Sequence, residues 1–166
     1  MKPELNIRLE SECTLLRPLS PDDEAELQLI ANDESLWIYG ISDKKTNRIA
    51  GCTRLADISW KEDRGQIGLT WIGHDFQGSG LNKDMKFLIL NYGFDKLGLN
   101  RIEFKADELN HKSRQALIGI GATREGVLRE HMKLHTGYIR NTVIYSILKS
   151  EWDTIKMNYF TNFTSV

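Results

Sequence analysis

Apolar and polar residues change their period near the middle of the chain. In the first half, short apolar runs are separated by polar turns, which predicts strands over residues 14–16, 36–42, 48–58 and 66–72. Residues 43–47 and 61–65 have the composition of hairpin turns, so these strands should be neighbours in an antiparallel meander. Ser20 and Pro21 supply an N-cap and a first-turn proline, and they predict an early helix over about residues 21–31.

From Leu81 onward the apolar residues recur with the period of a helix. Apolar residues recur along one helical face, which ends at Gly98; they are Leu81, Met85, Leu88, Ile89 and Tyr92. Residues 101–106 then alternate as a strand does, a second helix runs from near Asn110 to Gly121, and two strands follow over residues 126–134 and 138–148. This order predicts an α/β or α+β fold, with helices packed against a mixed, mostly antiparallel sheet.

Composition narrows the classes of function. The chain has 166 residues with 22 Lys and Arg against 23 Asp and Glu, so a net charge of −1 gives no electrostatic footprint for a nucleic acid or an anionic membrane. The longest wholly aliphatic or aromatic run is four residues, 87–90, far below the ~20 that a membrane helix needs. No secretory signal opens the sequence. We expect a cytoplasmic protein with one domain over residues 1–166.

No catalytic or metal-binding role is predicted for the cysteines, for two of the histidines or for the C-terminal tail. Cys13 and Cys52 form neither a disulfide framework nor a metal-binding pair, so we interpret both as reduced packing residues. His131 and His135 have the spacing of half a zinc site only on a helix, and their segment has a strand pattern. We therefore expect no metal. The uncharged tail, residues 157–166, could form a homodimer contact or fray.

The segment between the strand at residues 66–72 and the helix at Leu81 is the most informative. A strand, a glycine-containing turn and a helix N-terminus together form a site that favours phosphate, and Gly78 and Gly80 would let the backbone approach it closely. Asn82 and Lys83 stand where a Walker A loop or a dinucleotide fingerprint would need other residues. The glycines could also do no more than shape a turn.

Two motifs resemble those of one enzyme superfamily. Gln77-Gly78-Ser79-Gly80-Leu81-Asn82 resembles the pyrophosphate loop of the GNAT (Gcn5-related) N-acetyltransferases, except that Asn82 replaces a glycine or alanine. Asn110-His111-Lys112-Ser113 is similar to the N-x-x-S helix of that superfamily. Residues 98–103, 121–129 and 147–152 resemble the branch of the ribosomal-protein N-terminal acetyltransferases (RimJ/RimL-like).

The resemblance covers about residues 9–155, and one segment departs from it. Family members normally have another helix and loop between the first helix and the second strand, whereas here the strand at residues 36–42 follows almost at once. Either this member is short, or a piece of the chain is absent from the sequence. That piece would normally form one wall of the amine site.

The resemblance implies a GNAT fold and a set of ligand contacts. Amides of the loop would hold the pyrophosphate of acetyl-CoA; these residues are Gln77, Gly78, Ser79, Gly80, Leu81 and Asn82. Thr70, Trp71 and Ile72 would line the pantetheine arm, and the N–H near Ile72 would stabilise the oxyanion. Asn110 would hydrogen-bond the cofactor. Ser113 would contact it too and protonate the leaving thiolate, because Leu117 occupies the position of the usual tyrosine acid.

The resemblance also implies a reaction, although the general base stays open. Gln66 stands where members often carry a glutamate, which leaves Asp57, Glu34 and His74 as candidates, each of which could equally be a solvated surface residue. The implied function is transfer of acetyl from acetyl-CoA to a primary amine, either a protein N-terminus or a small amine, by direct attack in a ternary complex. Two alternatives are a non-catalytic acyl-CoA-binding or sensing module on the same fold, and a plain interaction domain.

Overall fold

One twisted sheet organises the structure. The computed structural model describes residues 8–18, 20–23 and 39–163, and eight strands of that part pair in the order β1-β2-β3-β4-β5-β6-β8-β7. The strands are β1 (Leu9–Glu10), β2 (Thr14–Pro18), β3 (Tyr39–Asp43), β4 (Arg48–Ser59), β5 (Arg64–Ile72), β6 (Arg101–Asp107), β7 (Thr123–Lys133) and β8 (Ile139–Leu148).

The connections follow the predicted meander and then depart from it. Strands β2 to β5 pair antiparallel in chain order, as predicted, and β1, which was not predicted, pairs antiparallel with β2. β6 pairs parallel with β5, because a helix carries the chain back between them, and β8 lies between β6 and β7. Buried and more exposed residues alternate along β6 as predicted, since Ile102, Phe104 and Ala106 are buried. The prediction of a mixed, mostly antiparallel sheet is confirmed.

Within the described ranges, three helices flank the sheet. They are α1 (Leu81–Asn91), which continues as a π-helical turn over Tyr92–Lys96, α2 (His111–Ile118) and α3 (Lys149–Tyr159). Gly98 and Gly121 follow the first two with positive φ, 70° and 81°, as glycines that terminate helices do. No helix in the part of the chain that the structure describes is long and apolar enough to cross a membrane.

The early helix and the closing helix both differ from expectation. Of the helix predicted over residues 21–31, the structure describes Pro21–Asp23 as a 3-10 turn, and the remainder lies outside the described residues. The sequence analysis missed α3, which follows β8 without an intervening turn. Its start is marked by Glu151, whose carboxylate accepts the Leu148 N–H at 3.1 Å, and Trp152 and Ile155 face the core.

Buried apolar residues from both sides of the sheet form one continuous core. The tail joins it through Phe160, which is 2% exposed and packs 5.5 Å from the Phe87 ring, so the described part of the tail is not frayed there; the homodimer contact stays a prediction. Both cysteines are free thiols, as predicted. Cys52 is buried, but Cys13 is exposed, so the interpretation of Cys13 as a packing residue is wrong.

Candidate active site

β5 and β6 run side by side over only three residues each. Their parallel pairing joins residues 64–66 to residues 101–103 and then stops. Between the pairs Cys52–Trp71 and Arg54–Gly68, β5 has one residue more than β4, and Leu69 lies in this bulge with a φ of 47°. A bulge increases the local twist of a strand. The two strands diverge beyond it, and a cleft of about 700 Å³ separates them.

The end of β5 presents backbone groups to this cleft. The Gly73 N–H donates to the Ala50 carbonyl on β4 at 2.8 Å, and successive residues of a strand point their N–H groups to opposite sides. The N–H and C=O of Ile72 therefore point away from β4. The Ile72 carbonyl accepts a hydrogen bond from the Gln77 amide at 3.1 Å, which leaves the Ile72 N–H available to a ligand.

Most of the predicted cofactor-binding residues line the same cleft. They are Thr70, Trp71, Ile72, Gln77, Gly78, Gly80, Asn82, Asn110 and Ser113. Ser79 and Leu81 lie elsewhere: the Ser79 hydroxyl donates to the Phe76 carbonyl at 2.6 Å, and the Leu81 side chain is 4% exposed in the core. The predicted contact of these two residues with the pyrophosphate is through their backbone amides, and it stays a prediction.

The glycine loop has open amides. Gly78 and Gly80 have φ values of 78° and 92°, and a Cβ on either would meet no atom within 4 Å, because it would project into the cleft. Gly80 is the N-cap of α1. The N–H groups of Gly78, Gly80 and Asn82 reach no acceptor among the described residues. Three unpaired amides beside a helix N-terminus form a site for an anion.

A side-chain bridge crosses the mouth of the cleft. Lys112 Nζ, in the first turn of α2, donates to Gln77 Oε1, while Gln77 Nε2 donates to the Ile72 carbonyl. Gln77 therefore connects the loop, β5 and α2. The sequence analysis missed this contact, because Gln77 and Lys112 are 35 residues apart and only the fold brings them together.

Asn110 is the N-cap of α2. Its Oδ1 accepts the Ser113 N–H at 2.9 Å, so the carbonyl end of the side chain is already used and its NH₂ end is left for a ligand. The Ser113 hydroxyl lines the cleft and forms no hydrogen bond within the described residues. The spacing of Asn110 and Ser113 therefore has a structural reason as well as the predicted functional one.

Basic side chains dominate the cleft, although the chain carries a net charge of −1. The lysine and arginine residues that line it are Lys83, Lys86, Lys105, Lys112 and Arg140. Asp107 is the one carboxylate among the described lining residues; it accepts the Tyr138 hydroxyl at 3.1 Å and lies 3.9 Å from Arg140. An anionic ligand is thus favoured.

Comparison with known proteins agrees with this geometry. The model of the acetyltransferase (GNAT) domain matches residues 17–123, well over half of the chain. The chain belongs to the GNAT acetyltransferase domain family. A crystal structure of a GCN5-related N-acetyltransferase from Brucella melitensis superposes with a TM-score of 0.84 at 24% identity, covering 97% of this chain and 86% of that one. This GNAT domain thus has the fold that the sequence predicted.

Curated relatives of this GNAT domain come from Bacillus. "Uncharacterized N-acetyltransferase p20" of Bacillus licheniformis is 30% identical over 69% of this chain and 63% of its own length. "Putative ribosomal N-acetyltransferase YdaF" of Bacillus subtilis (strain 168) is 31% identical over 63% of this chain and 56% of its own length. The chain therefore spans less than two thirds of each of these relatives.

A buried lysine at the base of the cleft was not predicted. Lys86, on α1, is 5% exposed; its Nζ donates to Thr70 Oγ1 at 2.9 Å and lies 5.3 Å above the Phe104 ring. Thr70 Oγ1 in turn lies 2.9 Å from Thr53 Oγ1. Burial lowers the pKa of Lys86 to about 7, because an ammonium there loses its hydration. The sequence signal was a lysine inside the apolar run of residues 85–90.

The candidate bases from the sequence do not meet in the cleft. The His74 side chain is 97% exposed, Asp57 is exposed at a φ of 51°, and neither lines the cleft. Glu34 lies outside the described residues. Gln66 Oε1 is buried without a partner, and Leu117, where a tyrosine acid was expected, is a buried apolar wall.

Acetyltransferases of this family use acetyl-CoA, and the residues present suit that molecule. Its pyrophosphate needs unpaired donors and room close to the backbone, which the amides of Gly78, Gly80 and Asn82 provide. Its extended arm needs a strand edge with free backbone groups, and β5 beyond Gln66 has one. The residues present therefore fit acetyl-CoA, and the individual ligand contacts stay predictions.

Proposed function

We propose that this chain is an acetyl-CoA-dependent N-acetyltransferase that moves the acetyl group to a primary amine by direct attack. The observation that carries the proposal is the coincidence of three unpaired loop amides, a lysine-lined cleft and the free edge of β5 in a GNAT domain. Each feature is a separate requirement of a long anionic thioester, and together they define one binding path.

Each residue has a defined part in this proposal. The amides of Gly78, Gly80 and Asn82 hold the pyrophosphate, and Lys112 leaves Gln77 to neutralise it. Thr70, Trp71 and Ile72 line the pantetheine arm. The N–H of Ile72 stabilises the oxyanion, for which one donor is worth about 3 kcal/mol. The NH₂ group of Asn110 contacts the arm, and the free hydroxyl of Ser113 passes a proton to the leaving sulfur.

The acceptor is a primary amine. The name of the relative YdaF includes a ribosomal acceptor, so we propose a ribosomal-protein N-terminus as the first acceptor to test, followed by small amines. An α-amino group, with a reference pKa of about 8, needs less help from a base than a lysine side chain at about 10.4. The cytoplasmic location and the homodimer stay predictions.

The test has two stages. Calorimetric titration with acetyl-CoA should show binding in the micromolar range, and thiol release should then rise above background with at least one amine from a panel of N-terminal peptides and polyamines. A folded sample that does not bind acetyl-CoA would contradict the proposal.

A non-catalytic acyl-CoA-binding module is the second candidate. It is favoured by Gln66 and Leu117, which stand where a base and an acid were expected, and by the exposure of Asp57 and His74 outside the cleft. Tight binding of acetyl-CoA with background thiol release across the whole amine panel would favour this module over the enzyme.

A further inference from the structure

Lys86 has no part in the function proposed above, and its surroundings need an explanation. It is a lysine placed on the buried face of α1, at the base of the cleft in which an acetyl thioester would lie. Its Nζ touches Thr70, one of the three β5 residues assigned to the arm of the donor. A buried amine beside an acyl donor can act as a nucleophile toward that donor.

We propose that Lys86 is itself an acetyl acceptor, so that the protein acetylates its own cleft when acetyl-CoA is bound and no other amine is present. The inference rests on the proposed function, because it uses the same donor in the same cleft. It adds a modification site that neither the family motif nor the relatives' names imply.

The surroundings of Lys86 favour its nucleophilic form. An ammonium has three N–H donors, and Nζ has one hydrogen-bond acceptor among the described residues, the Thr70 hydroxyl. A buried charge with two unpaired donors is costly, so the neutral amine is preferred. Donation of one N–H to Thr70 leaves the lone pair of the neutral amine free. Desolvated lysines are activated as nucleophiles in this way.

The charged groups that share the cleft do not stabilise the protonated form of Lys86. No carboxylate pairs with Lys86 among the described residues, and the one carboxylate that lines the cleft, Asp107, is engaged with Arg140 and Tyr138. β5 faces Nζ with the hydroxyl of Thr70, which in turn lies 2.9 Å from the hydroxyl of Thr53 on β4. The remaining charged groups along the cleft are cations on α1, β6, α2 and β8, namely Lys83, Lys105, Lys112 and Arg140.

The step balances without a further reagent. The lone pair of Lys86 Nζ forms a bond to the acetyl carbon, and the bond between that carbon and the CoA sulfur breaks. One of the two amine protons goes with the sulfur, so CoA leaves as a thiol. The other proton stays on the new amide, whose N–H can keep the hydrogen bond to Thr70.

Mass spectrometry tests the inference directly. The purified protein is incubated with acetyl-CoA in the absence of amine acceptors, its intact mass is followed, and the modified residue is located by peptide mapping. We expect one acetyl group, on Lys86. Lys105, an exposed lysine of the same cleft, should stay unmodified over the same incubation time.

The pH profile distinguishes this site from ordinary chemical acetylation. Burial lowers the pKa of Lys86 to about 7, so its rate should rise between pH 6 and 8 and then level off. Exposed lysines should keep accelerating up to about pH 10. This readout uses the wild-type protein and does not depend on whether a variant folds.

Two variants complete the test. Lys86→Met keeps the length of the side chain without the amine, and it should lose the acetyl group while still binding acetyl-CoA. Lys105→Met, the matched control, should keep the modification on Lys86. Modification spread evenly over exposed lysines, and unchanged in Lys86→Met, would overturn the inference.

The remaining outcomes separate the two proposals. Acetyl-CoA that binds without any change in the mass of the protein would overturn self-acetylation and leave the proposed function standing. Acetyl-CoA that does not bind would overturn both.

Discussion

The two helices that wall the cleft begin in opposite ways. α1 begins at Gly80, where the N–H groups of Gly78, Gly80 and Asn82 have no acceptor among the described residues. α2 begins at Asn110, whose side chain accepts the Ser113 N–H. Across residues 108–113 only the Lys112 N–H is left without an acceptor in the described structure. One helix thus presents its donors to a ligand, whereas the other uses them to hold itself together.

The two helices also differ in how deeply their side chains are buried. α1 is buried on almost every side, and even Lys86 is 5% exposed, whereas Leu117 is the one buried residue of α2, and Lys112 is exposed. A ligand that binds at α1 therefore meets a rigid, dry wall, while α2 can move its polar side chains to meet the ligand. Substitutions on the two helices should have different signatures.

The largest expected effect is a difference in the free energy of unfolding between substitutions of Lys86 on α1 and of Lys112 on α2. The unfolded chain keeps the Lys86 proton up to about pH 10.4, whereas burial lowers the pKa of Lys86 to about 7 in the folded state. Between these values the unfolded state binds more protons, so the free energy of unfolding rises with pH. Lys86→Met removes this penalty and should stabilise the protein by about 4 kcal/mol at pH 7 and by less than about 1 kcal/mol at pH 10.

Urea denaturation at the two pH values measures this effect. Lys112→Met is the control on α2, and because Lys112 is exposed it should change the free energy of unfolding by no more than about 0.5 kcal/mol at either pH. An equal effect of the two substitutions would show that Lys86 is solvated.

The next largest effect should be on ligand binding at α1. Gly80→Val places a branched side chain in the space above the open amides, so acetyl-CoA affinity should fall about a hundredfold, or nearly 3 kcal/mol. Gly137→Val is the matched control, because Gly137 has a similar φ of 86° and an equally open Cβ position, but lies in the turn between β7 and β8. It bears the same backbone strain away from the cleft.

Calorimetry on both glycine variants, with circular dichroism to check the fold, decides the point. Affinity that survives in Gly80→Val, or that falls equally in Gly137→Val, would remove the loop from the phosphate site.

A smaller effect, on turnover alone, is expected at Ser113. Ser113→Ala removes the free hydroxyl and should lower kcat about tenfold, less than the roughly hundredfold or more that proton transfer commonly contributes. The Kd for acetyl-CoA should change less than twofold. Ser113→Thr keeps a hydroxyl and should retain most of the turnover. Unchanged kcat in Ser113→Ala would exclude this residue as the acid.

The smallest effect is expected at the cap of α2. Asn110→Ala should lower the free energy of unfolding by about 1 kcal/mol, because the Ser113 N–H loses its acceptor. Asn110→Asp restores an acceptor but not the NH₂ group. It should therefore recover stability while acetyl-CoA affinity stays severalfold below that of the parent. Recovery of both would mean that Asn110 is only a cap.

Much of this site could be predicted from the sequence because its parts are local. The strand, glycine loop and helix at residues 66–91 are contiguous, and Gly78 and Gly80 have the positive φ values that glycine permits. The alternation in β6 and the cap at Asn110 depend on neighbours within a few residues. The GNAT resemblance then joined these pieces correctly.

Other features left no readable local signal. α3 follows β8 without a turn residue, so no breaker marked the change from strand to helix. The bulge at Leu69 occurs without a glycine. Ser79 and Leu81 fall inside the motif, yet they turn away from the cleft because the chain has begun to coil there.

The sequence by itself determined the order of most elements, the segment of strand, glycine loop and helix, and the family, because hydrophobic period, turn chemistry and motif spacing act over short stretches of chain. The divergence of β5 from β6, the bridge from Lys112 to Gln77 and the burial of Lys86 against Thr70 were decided by the fold alone. Each depends on packing between segments far apart in the chain, and such packing sets both the shape of the cleft and the charge of the groups inside it.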